Sequence, residues 1–487
     1  MINHFRVLHS IFVRRTVRTV ARAGATLLLL LSFHASNARA ADDKAKTTAA
    51  PCTFSDADFD TAADVHALDE YRDAIAQLLK QGDFAQLDCL ADAARAGKTR
   101  FSGGAWKLRN IYIGLAEPCP GHPTQEDWSK HFELMERWAK QNPHSITAPI
   151  ALAESYVRFG WDARGGGYAD SVSDSGWKLM AERAAKAKAI LEENAELAKK
   201  CPDWYLAMQL VAQAQGWDLV QARALYEKAV AFEPGYQYYY RVLAEYLQPK
   251  WEGQEGDAAR FAEEAANKVG GDDGDILYYW IADVIVCGCH DPEFTHFSWP
   301  RAQKGFTALE KKYGSSMLFV NSYALMAAKS NDMIAADPAF KRIGDEWDKD
   351  KWVTEDFFKS ERDIAAQMAP FQVKARAFRA EAEANMKSAE GQAYRAAFDP
   401  KFAVFERACL NEANGDTSKF EFLVQVGENG TIEDAHPEKQ PNAFALCLMK
   451  EMYAAYVKKE RPFPPPPKVP YRMLLEIDPT TLSAAAK

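Results

Sequence analysis

Apolar residues recur every three or four positions through most of this 487-residue chain, and almost nothing alternates with a period of two. That spacing places apolar side chains on one face of an α-helix, whereas a half-buried strand needs strict alternation. Gly and Pro interrupt the pattern at short intervals, as they do between consecutive helices. Leu78 and Phe84, for example, flank the turn Gln81-Gly82-Asp83, which predicts a helical hairpin. We therefore expect a mainly α protein in which residues 56–363 form a helical-repeat domain.

The repeats are expected to be tetratricopeptide-like. That unit is a pair of helices over about 34 residues, with small residues where the helices cross and Pro after the second helix. The second-helix half of the template is matched in spacing by Ala222, Tyr226, Ala229 and Pro234. The first-helix half is matched by Leu152, Ala153, Tyr156 and Gly160.

The pattern changes towards the C-terminus. Residues 364–400 are rich in Ala, Lys, Arg and Glu and predict a connecting helix. Beyond them, residues 401–480 predict a small α+β domain with the order α-β-β-α-β. Its strands are expected at Phe420–Val426, after the turn Asn429-Gly430, and at Tyr471–Ile477. Residues 481–487 are expected to be a disordered tail.

The N-terminus has the layout of a secretory signal. Five arginines from Arg6 to Arg22 precede the apolar run Ala25–Leu31, and Ala38-Arg39-Ala40 follows as an A-x-A cleavage site. We expect residues 1–40 to be a signal peptide cut after Ala40, and residues 41–55 to be a flexible leader. No later run is long and apolar enough for a membrane span, so no transmembrane anchor is expected after cleavage. The sequence thus predicts a periplasmic or secreted protein.

Charge and motifs limit the function classes. Six arginines and no acidic residue lie in the expected signal peptide, so the mature chain would carry a net charge of −15 instead of −9. Such a chain repels phosphates, which excludes nucleic acid as a main partner. Neither G-x-S-x-G nor H-E-x-x-H occurs, and the histidines are few and scattered. The sequence favours a binding protein over an enzyme, and no cofactor is predicted.

Eight cysteines in an exported chain suggest disulfides. Cys409 and Cys447 lie on apolar helix faces that must meet the same small sheet, so we expect them to be linked. Such a link would close a long loop and stabilise a thin core. The alternative is a pair of buried free thiols.

One segment has ligand types that suit a metal. Cys287 and Cys289 flank Gly288, and His290 follows, which are donors that zinc or copper accepts. The C-x-C spacing is tighter than the usual C-x2-C, and an oxidising compartment offers disulfides to the same cysteines. We therefore predict no metal site and keep these three residues as weak candidates.

A glycine-rich break is the main candidate binding site. Trp161 and Arg164 precede Gly165, Gly166 and Gly167, and Tyr168 follows. Glycines let a backbone approach a ligand closely, and an arginine can bind a carboxylate with two hydrogen bonds. The alternative is a connection between helices in which the arginine pairs with nearby acids and the tryptophan packs in the solenoid. Two residues of a second aromatic cluster, Tyr239 and Trp251, are further candidates, with core packing as their alternative.

Two resemblances follow from these segments. The helical part resembles a bacterial family known as domain of unknown function 4034, through residues 104–108 with Tyr112, residues 160–168 and residues 238–253. That resemblance implies a tetratricopeptide-like fold and no assigned activity. Residues 424–433, 444–456 and 463–467, the last of these ahead of Tyr471, resemble the TonB/TolA C-terminal domain, which implies protein contact in the envelope.

The sequence therefore predicts an exported, non-catalytic protein- or peptide-binding scaffold of the bacterial cell envelope. The alternative is an uncharacterised hydrolase or small-ligand binder that uses the Trp161–Tyr168 loop. The expected partner is an envelope protein or peptide, and the sequence leaves the oligomeric state open.

Overall fold

The computed structural model describes residues 52–118, 123–167, 169–288, 292–409, 419–437, 443–458 and 462–477. This part of the chain contains 18 α-helices and one three-stranded antiparallel sheet near the C-terminus. The mainly α class with a small α+β part is therefore confirmed. The chain divides into two compact units, Met1–Arg362 and Asp363–Lys487. The expected signal peptide, most of the leader and the expected tail lie outside the described residues.

The helices of the first unit follow one another closely along the chain. They are α1 (Ala67–Gln81), α2 (Phe84–Gly97), α3 (Lys107–Leu115), α4 (Gln125–Gln141), α5 (Thr147–Arg164), α6 (Asp174–Glu193), α7 (Pro202–Gln215), α8 (Leu219–Phe232), α9 (Tyr238–Tyr246), α10 (Asp257–Val269), α11 (Gly271–Ile285), α12 (Trp299–Tyr313), α13 (Met317–Lys329), α14 (Met333–Ile343) and α15 (Lys349–Trp352). Short 3-10 turns lie at Ser102–Gly104, Ala169–Ser171, Ala195–Lys199 and Glu293–His296.

Side-chain caps begin many of these helices. Asp83, Ser173 and Asp218 each accept a hydrogen bond from the backbone N–H three residues on. Thr124 forms a capping box with Asp127. These contacts satisfy N–H groups that have no partner inside the helix, so the sequence determines locally where each of the capped helices begins.

Contacts also join early residues of the first unit to late ones. The backbone N–H of Met317 donates to the carbonyl of Thr61 at 2.9 Å, and that of Gly103 donates to Gly314 at 3.2 Å. The N–H of Val65 donates to a carboxylate oxygen of Glu346 at 3.2 Å. Units of an open solenoid contact only their neighbours. Here the residues before α1 are additionally bound to the start of α13 and to the segment after α14, and the turn before α3 is bound to the turn between α12 and α13.

The second unit begins within a long helix. Helix α16 (Glu355–Lys387) is followed at once by α17 (Ala389–Cys409), so the connecting helix expected over residues 364–400 is interrupted at Ser388. The Ser388 hydroxyl donates to the carbonyl of Asn385 at 2.7 Å and accepts from the N–H of Gly391 at 3.0 Å. One side chain thus ends the first helix and caps the second, a contact that helical composition does not reveal.

The sheet of this unit is covered on both faces. Its strands are β1 (Phe420–Val426), β2 (Ile432–Pro437) and β3 (Tyr471–Ile477), in the order β2-β1-β3. Helices α17 and α18 (Ala443–Val457) contribute to the larger core, which includes Phe398, Phe422, Val424, Phe444 and Met473. The opposite face carries Leu423 and Leu474, which pack against Phe378 and Ala382 of α16. The last turns of α16 therefore belong to the α+β layer structure.

Two disulfides join pairs of described residues. Cys409 and Cys447 are bonded, with their Cα atoms 5.7 Å apart, which confirms the predicted pair. Cys52 and Cys89 form a second bond, which joins the segment before α1 to α2. Disulfides are typical of exported proteins. None of the described helices is long and apolar enough to cross a membrane.

Candidate functional site

The glycine-rich segment is a loop that Arg164 closes. Arg164 is the last residue of α5, and its Nη1 donates to the carbonyls of Gly165 at 3.0 Å and Gly167 at 2.9 Å. Gly165 has a φ of 77°, a conformation that L side chains rarely adopt, and a Cβ there would meet nothing within 4 Å. The loop therefore turns away from α5 into open space, and Tyr168 lies outside the described residues.

The guanidinium of Arg164 is also stacked between two indoles. Its Cζ lies 5.5 Å from the ring centroid of Trp161 and 4.9 Å from that of Trp177. Arg164 is only 9 % exposed, and burial lowers its pKa. The guanidinium of Arg164 thus contacts backbone carbonyls of the loop and the faces of two indoles. A ligand carboxylate would have to displace these contacts.

The structure brings Trp161 and Trp251 together. Their ring centroids are 5.8 Å apart in an edge-to-face arrangement, and Trp251 also contacts the ring of Tyr246. Trp161 is buried. Tyr246 in turn donates from its hydroxyl to the carbonyl of Trp217. These aromatics thus join the end of α5 to the end of α9.

Tyr239 lies apart from these residues, in the core. It is fully buried, and its hydroxyl donates to the carbonyl of Pro202 at 2.8 Å. Its ring packs against Tyr236 at 5.1 Å. No surface of Tyr239 faces solvent, so its position matches the core alternative for this aromatic cluster.

One of the three weak metal candidates lacks the thiolate that a metal site would need. Cys287 is disulfide-bonded, so its sulfur is not a thiolate that could ligate a metal. Cys289 and His290 lie outside the described residues. Among the residues that are described, no group of three or more His, Cys, Asp or Glu side chains could hold a metal ion.

A charged cluster is buried at the centre of the first unit. Nη1 of Arg109 donates to both carboxylate oxygens of Glu154 at 2.8 and 2.7 Å, and lies 3.1 Å from Asp203. The Tyr236 hydroxyl donates to Asp203 at 2.7 Å. Burial raises the pKa of both carboxyl groups, and the arginine opposes that effect. This cluster ties α3, α5 and α7 together.

The structure shows a groove that the sequence did not suggest. It encloses about 390 Å³ between the end of α6, the turn after it, α7 and α8. Helix α8 contributes Gln221, Ala224, Leu225 and Lys228, which lie one turn apart on a single face. We refer to this space, together with its other lining residues Glu192, Ala195, Trp204, Met208 and Trp217, as the α6–α8 groove.

Two indoles form the walls of the α6–α8 groove. Nε1 of Trp204 donates to the carbonyl of Leu191 at 3.0 Å, and Nε1 of Trp217 donates to the side chain of Gln215 at 3.0 Å. Since both indole N–H groups are satisfied within the protein, the ring surfaces and Met208 present an apolar wall. Such walls accept aliphatic or aromatic groups.

The rim of the groove carries charges of both signs. Glu192 lies on one side, where Lys188 approaches it at 3.5 Å, and Lys228 lies on α8. None of the described residues that line the groove is Ser, Thr, Cys or His, the residue types that usually supply nucleophiles and bases. The arrangement can bind an apolar side chain and pair with charges beside it.

In the sequence, these residues resemble core stripes. Trp204 and Met208 are spaced four apart on α7, which is also the spacing of a buried helix face. Only the placement of α6 against α7 and α8 leaves a gap between them. No local sequence signal could therefore have distinguished the residues that line the groove from residues of the core.

The chain matches no protein-family model, and searches of the curated proteins and of the solved structures find no match to it.

Proposed function

We propose that this protein is a non-catalytic protein- or peptide-binding scaffold that uses the α6–α8 groove as its binding site. The observation that carries the proposal is an apolar groove walled by Trp204 and Trp217. Its volume of about 390 Å³ lies in the range typical of binding clefts. Aromatic residues and methionine are also enriched where proteins bind other proteins.

A peptide suits this groove because of its charges. Lys228 and Glu192 place opposite charges on the rim, and a chain that crosses the groove can carry a matching charge on either side of one apolar anchor. The expected ligand is a segment with a Leu, Met or aromatic anchor followed or preceded by an acidic residue that reaches Lys228. Aromatic anchors that become fully desolvated in such a pocket commonly dominate binding energy.

The glycine-rich loop supports the hydrolase or small-ligand alternative less well. Arg164 is the residue that would bind the ligand in that alternative. It donates to carbonyls of its own loop and stacks on Trp161 and Trp177. These contacts fit a residue that holds the loop against the end of α5. The loop therefore has a structural explanation, whereas the α6–α8 groove has none.

The location we propose is the bacterial periplasm, reached through a signal peptide cut after Ala40. The disulfides Cys52–Cys89 and Cys409–Cys447 support export. We also propose that the first unit is a tetratricopeptide-like member of domain of unknown function 4034, and that the second is TonB-like. The helical pair α7–α8 and the small sheet with the order β2-β1-β3 are the features in favour.

The test uses a groove-filling variant and a control on a helix that does not line the groove. Random peptides displayed on phage are selected against the purified protein, and their affinities are measured by calorimetry. Ala224 is exposed in the groove, so Ala224→Trp fills it, while Ala93→Trp adds the same bulk at an exposed position of α2. We expect Ala224→Trp to weaken binding at least about tenfold and Ala93→Trp to leave it unchanged. Equal affinities for both variants would refute the proposed site.

A further inference from the structure

Helix α18 has apolar residues around its whole circumference. Its inner face, with Phe444 and Leu448, is buried in the core of the second unit. On its outer face Leu446 is 54 % exposed and Tyr453 is 69 % exposed. A surface helix ordinarily carries polar residues on its outer face, and a helix that is apolar all round is typical of one covered on both sides.

The outer residues follow a heptad pattern. Ala443, Leu446, Lys450, Tyr453 and Val457 are all exposed and lie alternately three and four residues apart. This is the spacing of positions a and d over two heptads, the seam along which coiled-coil helices meet. We refer to these five residues as the α18 seam. Lys450 is its only charged member, at an a position, where a single polar residue commonly sets register and partner.

We propose that the α18 seam docks onto the same seam of a second copy of this chain, with the two helices antiparallel. In that orientation position a faces position d, so Lys450 of each copy lies against the ring of Tyr453 of the other. Leu446 of each copy then faces Val457 of the other. The result is one self-complementary surface with twofold symmetry.

Charge selects the antiparallel orientation. In a parallel pair, the two copies of Lys450 would face each other, and like charges at such a contact are unfavourable. In the antiparallel pair, each ammonium meets an aromatic face, which attracts it. The seam therefore favours one of the two possible arrangements from its own residues.

The dimer is expected to be weak. A helix of 15 residues is about 22 Å long. One helix pair of that length buries less than the ~1,200–2,000 Å² of a stable specific interface. The association should thus depend on concentration, with exchange between monomer and dimer.

Sedimentation equilibrium of the purified protein tests the proposal. We expect the weight-average mass to rise towards twice that of the monomer between about 10 µM and about 1 mM, the range of weak contacts. Leu446→Glu should remain a monomer throughout, because it places a charge against Val457. Val220→Glu, at a 79 % exposed position in the first unit, is the control and should behave like the wild type. A wild type that stays monomeric, or a dimer that survives Leu446→Glu, overturns the proposal.

A charge exchange distinguishes the orientation. Leu446→Glu combined with Val457→Lys creates two ion pairs across an antiparallel dimer, so the double variant should dimerise again. In a parallel pair the same changes set Glu against Glu and Lys against Lys, and dimerisation would not return.

Flotation with vesicles of phosphatidylethanolamine and phosphatidylglycerol tests whether the α18 seam binds a membrane surface instead of a second copy. A monomer that binds these vesicles through Leu446 overturns the proposal in favour of a membrane surface.

Discussion

A pair of glycine substitutions measures the contact that joins early and late residues of the first unit. Gly103, in the turn before α3, has φ 76° and ψ 0°, and Gly256, before α10, has φ 75° and ψ 0°. An alanine at either position adopts the same left-handed conformation, which costs about 1–2 kcal/mol. The two substitutions are therefore matched in backbone strain and differ only in what the new Cβ meets.

The surroundings of the two positions differ sharply. A Cβ on Gly103 would lie 2.5 Å from Cβ of Ser316 and 2.7 Å from Cδ2 of Phe319. A Cβ on Gly256 would lie 3.3 Å from Nη1 of Arg260, the end of a flexible side chain. Overpacking of a tight contact costs a further 1–3 kcal/mol or so. Gly103→Ala should thus lower the free energy of unfolding by about 2–5 kcal/mol, and Gly256→Ala by about 1–2 kcal/mol.

Urea unfolding followed by tryptophan fluorescence is the appropriate assay. All 12 tryptophans lie between Trp106 and Trp352, so the signal reports on the first unit and not on the second. The midpoints of the two variants are compared with the wild type at equal slope. Equal losses in both variants would show that the turn at Gly103 is not packed against the start of α13, and would refute the reasoning.

Three other substitutions test the buried groups. His131 is buried, and burial lowers its pKa to about 4. The neutral imidazole therefore contributes roughly 3 kcal/mol to the free energy of unfolding above pH 6.5, and this contribution is lost as pH falls towards 4. His131→Gln should remove that pH dependence of the fluorescence midpoint, and an unchanged profile contradicts this. Arg109→Met leaves the carboxylates of Glu154 and Asp203 without their cation and should cost about 3–5 kcal/mol, measured by urea unfolding; a loss under about 1 kcal/mol would disagree. Cys409→Ser removes a bond that spans 38 residues and should destabilise the second unit by up to about 4 kcal/mol. Hydrogen exchange in the strands of that unit should become faster, and unchanged exchange would count against this prediction.

The parts of the fold that depend on local chemistry could be predicted from the sequence. Strands Phe420–Val426 and Tyr471–Ile477 have the predicted bounds, because their periodicity and flanking residues are local signals. The Cys409–Cys447 bond was predictable because both residues lie on apolar helix faces that must meet one thin core. Such features need no knowledge of distant contacts.

Features that depend on packing between helices were not predictable. The break at Ser388 follows from a hydroxyl that bonds the ends of two helices, and helical composition alone continues through it. The α6–α8 groove exists only because α6 and α7 leave the indoles of Trp204 and Trp217 open on one side. Arg164 contacts the ring of Trp161 and donates to the glycine carbonyls, and both contacts depend on the path of the loop.

Photo-crosslinking from a bound peptide tests the central claim most directly. A peptide selected for binding is synthesised with benzoylphenylalanine in place of its apolar anchor, irradiated on the protein, and the adduct is mapped by mass spectrometry. The account predicts an adduct at Met208 or at the α8 face that includes Ala224 and Leu225, and its loss in Ala224→Trp. An adduct in the Trp161–Gly167 loop, or one that persists in Ala224→Trp, would contradict the claim that the α6–α8 groove is the binding site.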